Sequence, residues 1–240
     1  MISNLANRFE SLSLENDPDG TDDFEPSSVR TEFYRDATKT ALTRNISSDV
    51  PFDLSINPYG GCEHGCVYCL ARPTHEFLGF SSGLDFESRI VIKENAPELL
   101  RKELAKRIYR PEPIALSPNT DSYQPIERRL KLTRRCLEVL AECRNPVGIV
   151  TKNALVTRDL DLLQELANYD AVNVFISVTS IDSELRRILE RRTSPPAARL
   201  RAIRELSGAG IPTDVLVAPI TRSRRSSPPP PRQGRPVPGT

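Results

Sequence analysis

Three cysteines, Cys62, Cys66 and Cys69, fall within eight residues of NPYGGCEHGCVYCLARP (57–73). The spacing C-x3-C-x2-C on one short loop can bring three thiolates around a single metal centre. Gly60, Gly61 and Gly65 let the backbone fold tightly between them. A structural zinc site asks for four protein ligands. The nearby candidates for a fourth are His64 and His75, the two histidines of the chain. A [4Fe–4S] cluster also takes four cysteines as a rule. With three, one iron is left open to a ligand that is not protein. His64, between two of the thiols, is either part of the metal environment or a solvated loop residue; His75 reads as structural. Cys136 and Cys143 are seven apart in a helical pattern and read as buried apolar residues of one face.

Elements that could position such a loop alternate along the chain. Strand-like runs occur at FDLSI (52–56), PIALS (113–117), VGIVT (147–151), AVNVFISVTS (171–180) and TDVLVAPI (213–220). Helical patterns separate them. ENAPELLRKELAKRIYR carries Leu99, Leu100, Leu104 and Ile108 at helical spacing, and PIERRLKLTRRCLEVLAEC carries Leu130, Leu137 and Leu140. TRDLDLLQELA has Thr157 as its expected N-cap. IDSELRRILERR and ARLRAIRELSGAG flank a Pro-Pro break, and Gly208 and Gly210 end the second of them. Strands separated by helices, without tight hairpin signals, predict right-handed crossovers and a parallel sheet. The expected fold is α/β, an open or closed β/α barrel. The cysteine loop follows the first strand, where such a fold places its chemistry.

The ends differ from this core. Residues 1–29 form an acidic lead-in and 221–240 an Arg/Pro-rich tail, both expected to be disordered, around a core of 30–220. The net charge of +1 owes its sign to the tail's arginines, so the fold carries no electrostatic footprint for duplex nucleic acid. No apolar run approaches the about 20 residues of a membrane span. The polar start is no secretory signal. An odd cysteine count fits a reducing compartment, so a cytoplasmic location is expected.

The segment C62-E-H-G-C66-V-Y-C69, with aromatic Tyr68 before the last cysteine, resembles the signature of the radical S-adenosylmethionine (radical SAM) superfamily. Residues 30–220 resemble its branch related to spore photoproduct lyase and often labelled "DNA repair photolyase", through the cysteine segment, SPNTDSYQPIE, IVTKNALVTRDLDLL and SVTSIDSELRRILERRTSPP. The resemblance implies a partial (β/α) barrel with about five of six β/α units. It implies a [4Fe–4S] cluster on the three cysteines, with its fourth iron chelated by the amino and carboxylate groups of S-adenosylmethionine. Reductive cleavage would then give a 5′-deoxyadenosyl radical that abstracts hydrogen from a substrate. Leu70 and Ser122 depart from an aromatic and a proline of the family pattern. After VLVAPI the family continues into a Pro-Gly-Leu-Asn-Asp-like turn, a helix and a sixth strand; TRSRRSSPPPP stands here instead, which gives the expectation of a truncated relative.

Given that resemblance, the other strand ends offer contacts to S-adenosylmethionine. Asn119 and Asp121 suit its amine and hydroxyls, and Lys152 suits its carboxylate. Ser177, on one face of strand four with Thr179, and Arg192, which matches a family arginine, complete the expected set. The expected partners are S-adenosylmethionine, an unknown substrate and an electron donor such as flavodoxin or ferredoxin. No membrane is expected, and nucleic acid stays open. The alternative is a non-catalytic relative that binds a cluster, or a structural metal-binding module.

Overall fold

The computed structural model describes residues 30–46, 50 and 52–220, with the backbone alone of 10–12. Among these, ten strands form two sheets. In the larger sheet, β4 (Leu54–Ile56), β7 (Ile114–Leu116), β8 (Val147–Thr151), β9 (Val172–Ser177) and β10 (Thr213–Leu216) run parallel. β3 (Leu42–Arg44) adds to β4 antiparallel, giving the order β10-β9-β8-β7-β4-β3. The five parallel strands are those read from the sequence, in the expected order. Apolar β-branched runs flanked by helical patterns have few other ways to bury both faces.

Helices α2 (Ala96–Leu104), α4 (Leu132–Glu142), α5 (Leu160–Ala167) and α7 (Pro196–Gly208) cover this sheet; the short α1 (Asp85–Ser88), α3 (Glu127–Leu130) and α6 (Ser183–Leu189) contribute no residue to its core. Leu100, Leu137, Leu140, Leu163, Leu166 and Leu206 pack onto Ile114, Leu116, Ile149, Val174 and Ile176 in one continuous core. β10 lies at the sheet edge, and Val215 within it and Val217 just after it are exposed. Among the described residues no helix is long and apolar enough to cross a membrane.

The second sheet is absent from the sequence reading. It joins β1 (Glu10–Leu12), β2 (Glu32–Arg35), β6 (Arg89–Ile92) and β5 (Tyr59–Gly60). Its strands are two to four residues long, too short for a period to show. Of the lead-in read over 1–29, the strand Glu10–Leu12 is described; the tail over 221–240 lies outside the described residues.

Four helix details correct the sequence reading. The single helix expected over 125–143 breaks at Lys131, whose φ of 51° is left-handed. α2 stops at Leu104, which leaves Ile108 exposed. Thr157 does not cap α5. It lies inside a 3-10 turn, Ala154–Asp159, where the Ala154 N–H donates to Ser194 Oγ and the Leu155 N–H to the Asn153 side chain. Cys136 is buried as expected, but Cys143 is the exposed C-cap of α4.

Candidate metal and cofactor site

The cysteine loop leaves β4 and is anchored by backbone before any side chain acts. The Cys62 N–H donates to the Phe86 carbonyl at 2.8 Å, and Cys69 N–H to the Cys66 carbonyl at 3.3 Å. Gln124, fully buried, accepts from the Glu63 N–H at 2.9 Å and donates to the Gly61 carbonyl at 3.3 Å. Glu63 answers by accepting from the Ile126 N–H at 2.7 Å. The segment after β7 is thereby fastened to the cysteine loop from both sides.

Gly61 permits this closeness. Its φ is +78°, and a Cβ there would stand 2.8 Å from the Phe86 carbonyl oxygen and 3.0 Å from the His75 ring. Both neighbours are rigid: the carbonyl is backbone, and His75 is wedged between Phe80 and Phe86. Gly61→Ala is expected to cost about 1–3 kcal/mol. A thermal melt of the apo-protein indistinguishable from wild type would contradict this.

A cavity of about 510 Å³ opens at the C-terminal ends of the parallel strands. Cys62, Cys66 and Cys69 line it, with Asn119, Asp121 and Lys152. The sequence reading thus named six side chains that the fold brings around one space. Ser177 and Arg192 are elsewhere. The Ser177 carbonyl accepts from Arg199, and its side chain is buried away from the cavity. Arg192 donates to the Glu87 carbonyl at 2.9 Å, pairs with its carboxylate at 3.3 Å, and holds the His64 carbonyl through its own N–H. These bonds make Arg192 a clamp behind the cysteine loop, and neither residue joins the cavity lining.

Asp121 is built into the wall. One carboxylate oxygen accepts from the Thr151 hydroxyl at 2.7 Å and the Tyr123 N–H at 2.8 Å. The other accepts from the Lys152 N–H at 2.8 Å and faces His64 Nδ1 at 3.2 Å. Burial alone would raise this carboxyl; the adjacent His64 and the hydrogen bonds outweigh it and hold the pKa at about 2. His64 is itself buried, which removes the solvated-loop reading, and its Nε2 lies 3.4 Å from the Asn153 amide nitrogen.

Two of the three thiols, Cys62 and Cys66, are buried. Burial, with Asp121 nearby, pushes Cys62 well above the ordinary thiol value. Burial lifts Cys66 to about 12, against the opposing pull of Lys152. Thiols so placed are inert as nucleophiles; a bound cation supplies the charge that favours their thiolates. Among the described residues no three His, Cys, Asp or Glu side chains converge as a lone metal ion would require. The three thiols line one cavity, and cysteine thiolates are the donors that hold iron–sulfur clusters, so the donor set fits such a group.

Behind the cavity lies a polar group that the sequence reading missed. The Glu190 carboxylate accepts from the Tyr68 hydroxyl, from Thr179 Oγ1 at 2.8 Å and from Arg199 Nη2 at 2.5 Å. Burial acts to raise this carboxyl, but Arg199 and the Tyr68 hydrogen bond hold it below its usual value. Burial and the bond to Glu190 push the Tyr68 phenol up. The Lys152 ammonium stands 5.8 Å from the centre of the Tyr68 ring. The available signal was ERRTSPPAAR itself, charges at a Pro-Pro break after a buried strand, but their partners are distant in sequence or hidden by the fold.

Comparison with known proteins agrees with this arrangement. The sequence pattern of the Radical SAM superfamily matches residues 56–224. An uncharacterised protein of Mycobacterium tuberculosis is 41% identical over 189 residues, which is 78% of this chain and 56% of the relative. An uncharacterised protein of Methanocaldococcus jannaschii is 31% identical over 166 residues, 69% of this chain and 59% of the relative. The chain therefore spans little more than half the length of these relatives. Among solved structures, spore photoproduct lyase complexed with dinucleoside spore photoproduct superimposes with a TM-score of 0.59 at 20% identity, over 80% of this chain and 52% of that one. A double mutant of that lyase with bound AdoMet and dinucleoside spore photoproduct gives a TM-score of 0.56 at 20% identity, over 75% and 49%.

Proposed function

This chain belongs to the radical SAM superfamily, and from that premise we propose that Cys62, Cys66 and Cys69 hold a [4Fe–4S] cluster and that the adjoining cavity takes S-adenosylmethionine. The observation that carries the reading is that the three thiols, Asn119 and Lys152 line one cavity at the strand ends. When bound, the cluster supplies the electron that cleaves the sulfonium reductively to methionine and a 5′-deoxyadenosyl radical.

The chain's own residues bind and orient. Lys152 brings a positive charge to the wall beside Cys66, suited to the cosubstrate carboxylate. Asn119, exposed at the cavity, offers an amide to the amine or ribose. Asp121 fixes the Lys152 backbone, so it sets the position of that cation in addition to any contact of its own. Phe52, Leu70 and Val150 add apolar surface to the lining. The substrate that gives up hydrogen is the open part of the reading. A dinucleoside photoproduct is the first to test, because of the fold shared with the lyase. An electron donor of the flavodoxin or ferredoxin class and a cytoplasmic site of action belong to the same proposal.

Anaerobic reconstitution followed by an assay for 5′-deoxyadenosine tests it. Iron and sulfide uptake with formation of 5′-deoxyadenosine from S-adenosylmethionine and a reductant is the expected result. Uptake without cleavage would leave a cluster-binding relative that does not turn over.

Lys152→Ala should weaken S-adenosylmethionine binding while leaving the cluster spectrum unchanged. A charge-assisted hydrogen bond is worth about 1.5–3 kcal/mol, or roughly one to two decades in affinity. Unaltered affinity in equilibrium binding would remove Lys152 from the site.

A further inference from the structure

The two halves of the cysteine loop are held by different means. Gly61–Gly65 is fastened by Gln124, Glu63 and the Arg192 N–H. The Cys66–Cys69 half has fewer ties. Val67 N–H donates to the Leu189 carbonyl at 3.0 Å, Cys66 bridges Glu190, and Arg72 reaches the Cys66 carbonyl at 3.1 Å. Of the two residues between Cys66 and Cys69, Val67 is 51% exposed, so Tyr68 is the one whose side chain reaches into the fold. Its hydroxyl ends on Glu190, whose other donors, Thr179 and Arg199, are themselves buried.

We infer that the Tyr68 hydroxyl and the Glu190 carboxylate form a latch that fixes the Cys66–Cys69 half of the loop to the fold. Tyr68 is then a positioning residue through its hydroxyl, not through its ring alone. Three observations favour this. The acceptor is a buried charge, which makes the bond stronger than one between neutral groups. The acceptor cannot drift, because Arg199 also binds the Ser177 carbonyl at the end of β9, at 2.8 Å. The latched ring stands 5.8 Å from the Lys152 ammonium and, like Lys152, lines the cavity, so the latch also holds one part of the cavity wall. Its consequence for metal retention rests on the radical SAM reading; the latch itself does not.

Removing the hydroxyl leaves Glu190 with Thr179 and Arg199, so Tyr68→Phe should fold. In the apo-protein, hydrogen exchange at the amides of 67–69 is expected to rise about 10-fold in Tyr68→Phe, the scale of one lost hydrogen bond to a charge. Exchange in α7 should stay at wild-type values, and the unfolding midpoint should fall by no more than a few degrees, roughly what one such bond is worth in a domain of this size. Tyr68→Leu, which lacks ring and hydroxyl, should exchange at least as fast. In reconstituted protein, release of iron to a chelator should be several-fold faster in Tyr68→Phe. A Tyr68→Phe loop that exchanges like wild type while Tyr68→Leu loosens would assign the role to the ring and overturn the latch. Equal loosening of α7 would overturn it as well, by showing a general loss of packing. Wild-type protein that takes up no iron would defeat the radical SAM reading, and the exchange experiment would still decide the latch.

Discussion

Anaerobic reconstitution of Cys62→Ala, Cys66→Ala or Cys69→Ala protein should give chains without a stable cluster, whereas Cys136→Ala and Cys143→Ala should match wild type. Each of the first three thiols lines the cavity and would supply one corner. With three protein ligands there is no spare, so losing one leaves two irons without a protein thiolate. Cys136 cannot substitute. It is fully buried on α4, packed in the main core with Leu137 and Leu140. Cys143 is exposed at the end of that helix. Iron and sulfide content and the broad visible absorption of the reconstituted protein check this. Stoichiometric zinc without that absorption would instead establish a single-ion site. The thermal midpoint of the apo-variants should change little, because a free thiol contributes as a small apolar group and Ala keeps part of its volume.

The contrast between legible and illegible parts of this molecule has a physical basis. VGIVT is read as a strand over 147–151 and is one, because a short apolar β-branched run flanked by a helical pattern and a turn fits little else. The cysteine segment is legible as part of the superfamily pattern that matches residues 56–224, because both its residue types and their spacing are distinctive. Cavity residues near strand ends, Asn119, Asp121 and Lys152, are legible because crossovers of a parallel sheet deliver strand ends to one side. Arg192 and Ser177 satisfy the same rule of placement yet face elsewhere. Whether a side chain a few residues past a strand turns inward depends on partners such as Glu87, 105 residues away, and sequence spacing carries no trace of them. The small second sheet fails for a related reason. Its pairing, Phe33 with Ile90, joins strands too short to declare themselves alone. The break at Lys131 is invisible for the opposite reason: the helical pattern continues through it, and the left-handed residue is a lysine, without the glycine that would announce it.

Arg199→Met should be among the most destabilising single changes in the chain. The guanidinium is fully buried and donates to the Ser194 carbonyl at 2.8 Å, the Ser177 carbonyl at 2.8 Å, Thr193 Oγ1 at 2.5 Å and the Glu190 carboxylate at 2.5 Å. Methionine fills comparable length and restores none of these bonds. It leaves Glu190 buried with hydroxyl donors but without its countercharge. Breaking a buried pair from one side costs about 3–5 kcal/mol, which for a domain of this size lowers the melting midpoint by on the order of 10 °C. Removing the charge from both partners should be milder. Glu190→Gln/Arg199→Met leaves no unpaired ion, so the double variant should melt above Arg199→Met alone. Calorimetry on four apo-proteins, wild type, Glu190→Gln, Arg199→Met and the double variant, reads the cycle. An Arg199→Met midpoint within a degree or two of wild type would mean that the Glu190 charge is solvated, and that the wall behind the cysteine loop is wetter than its burial implies.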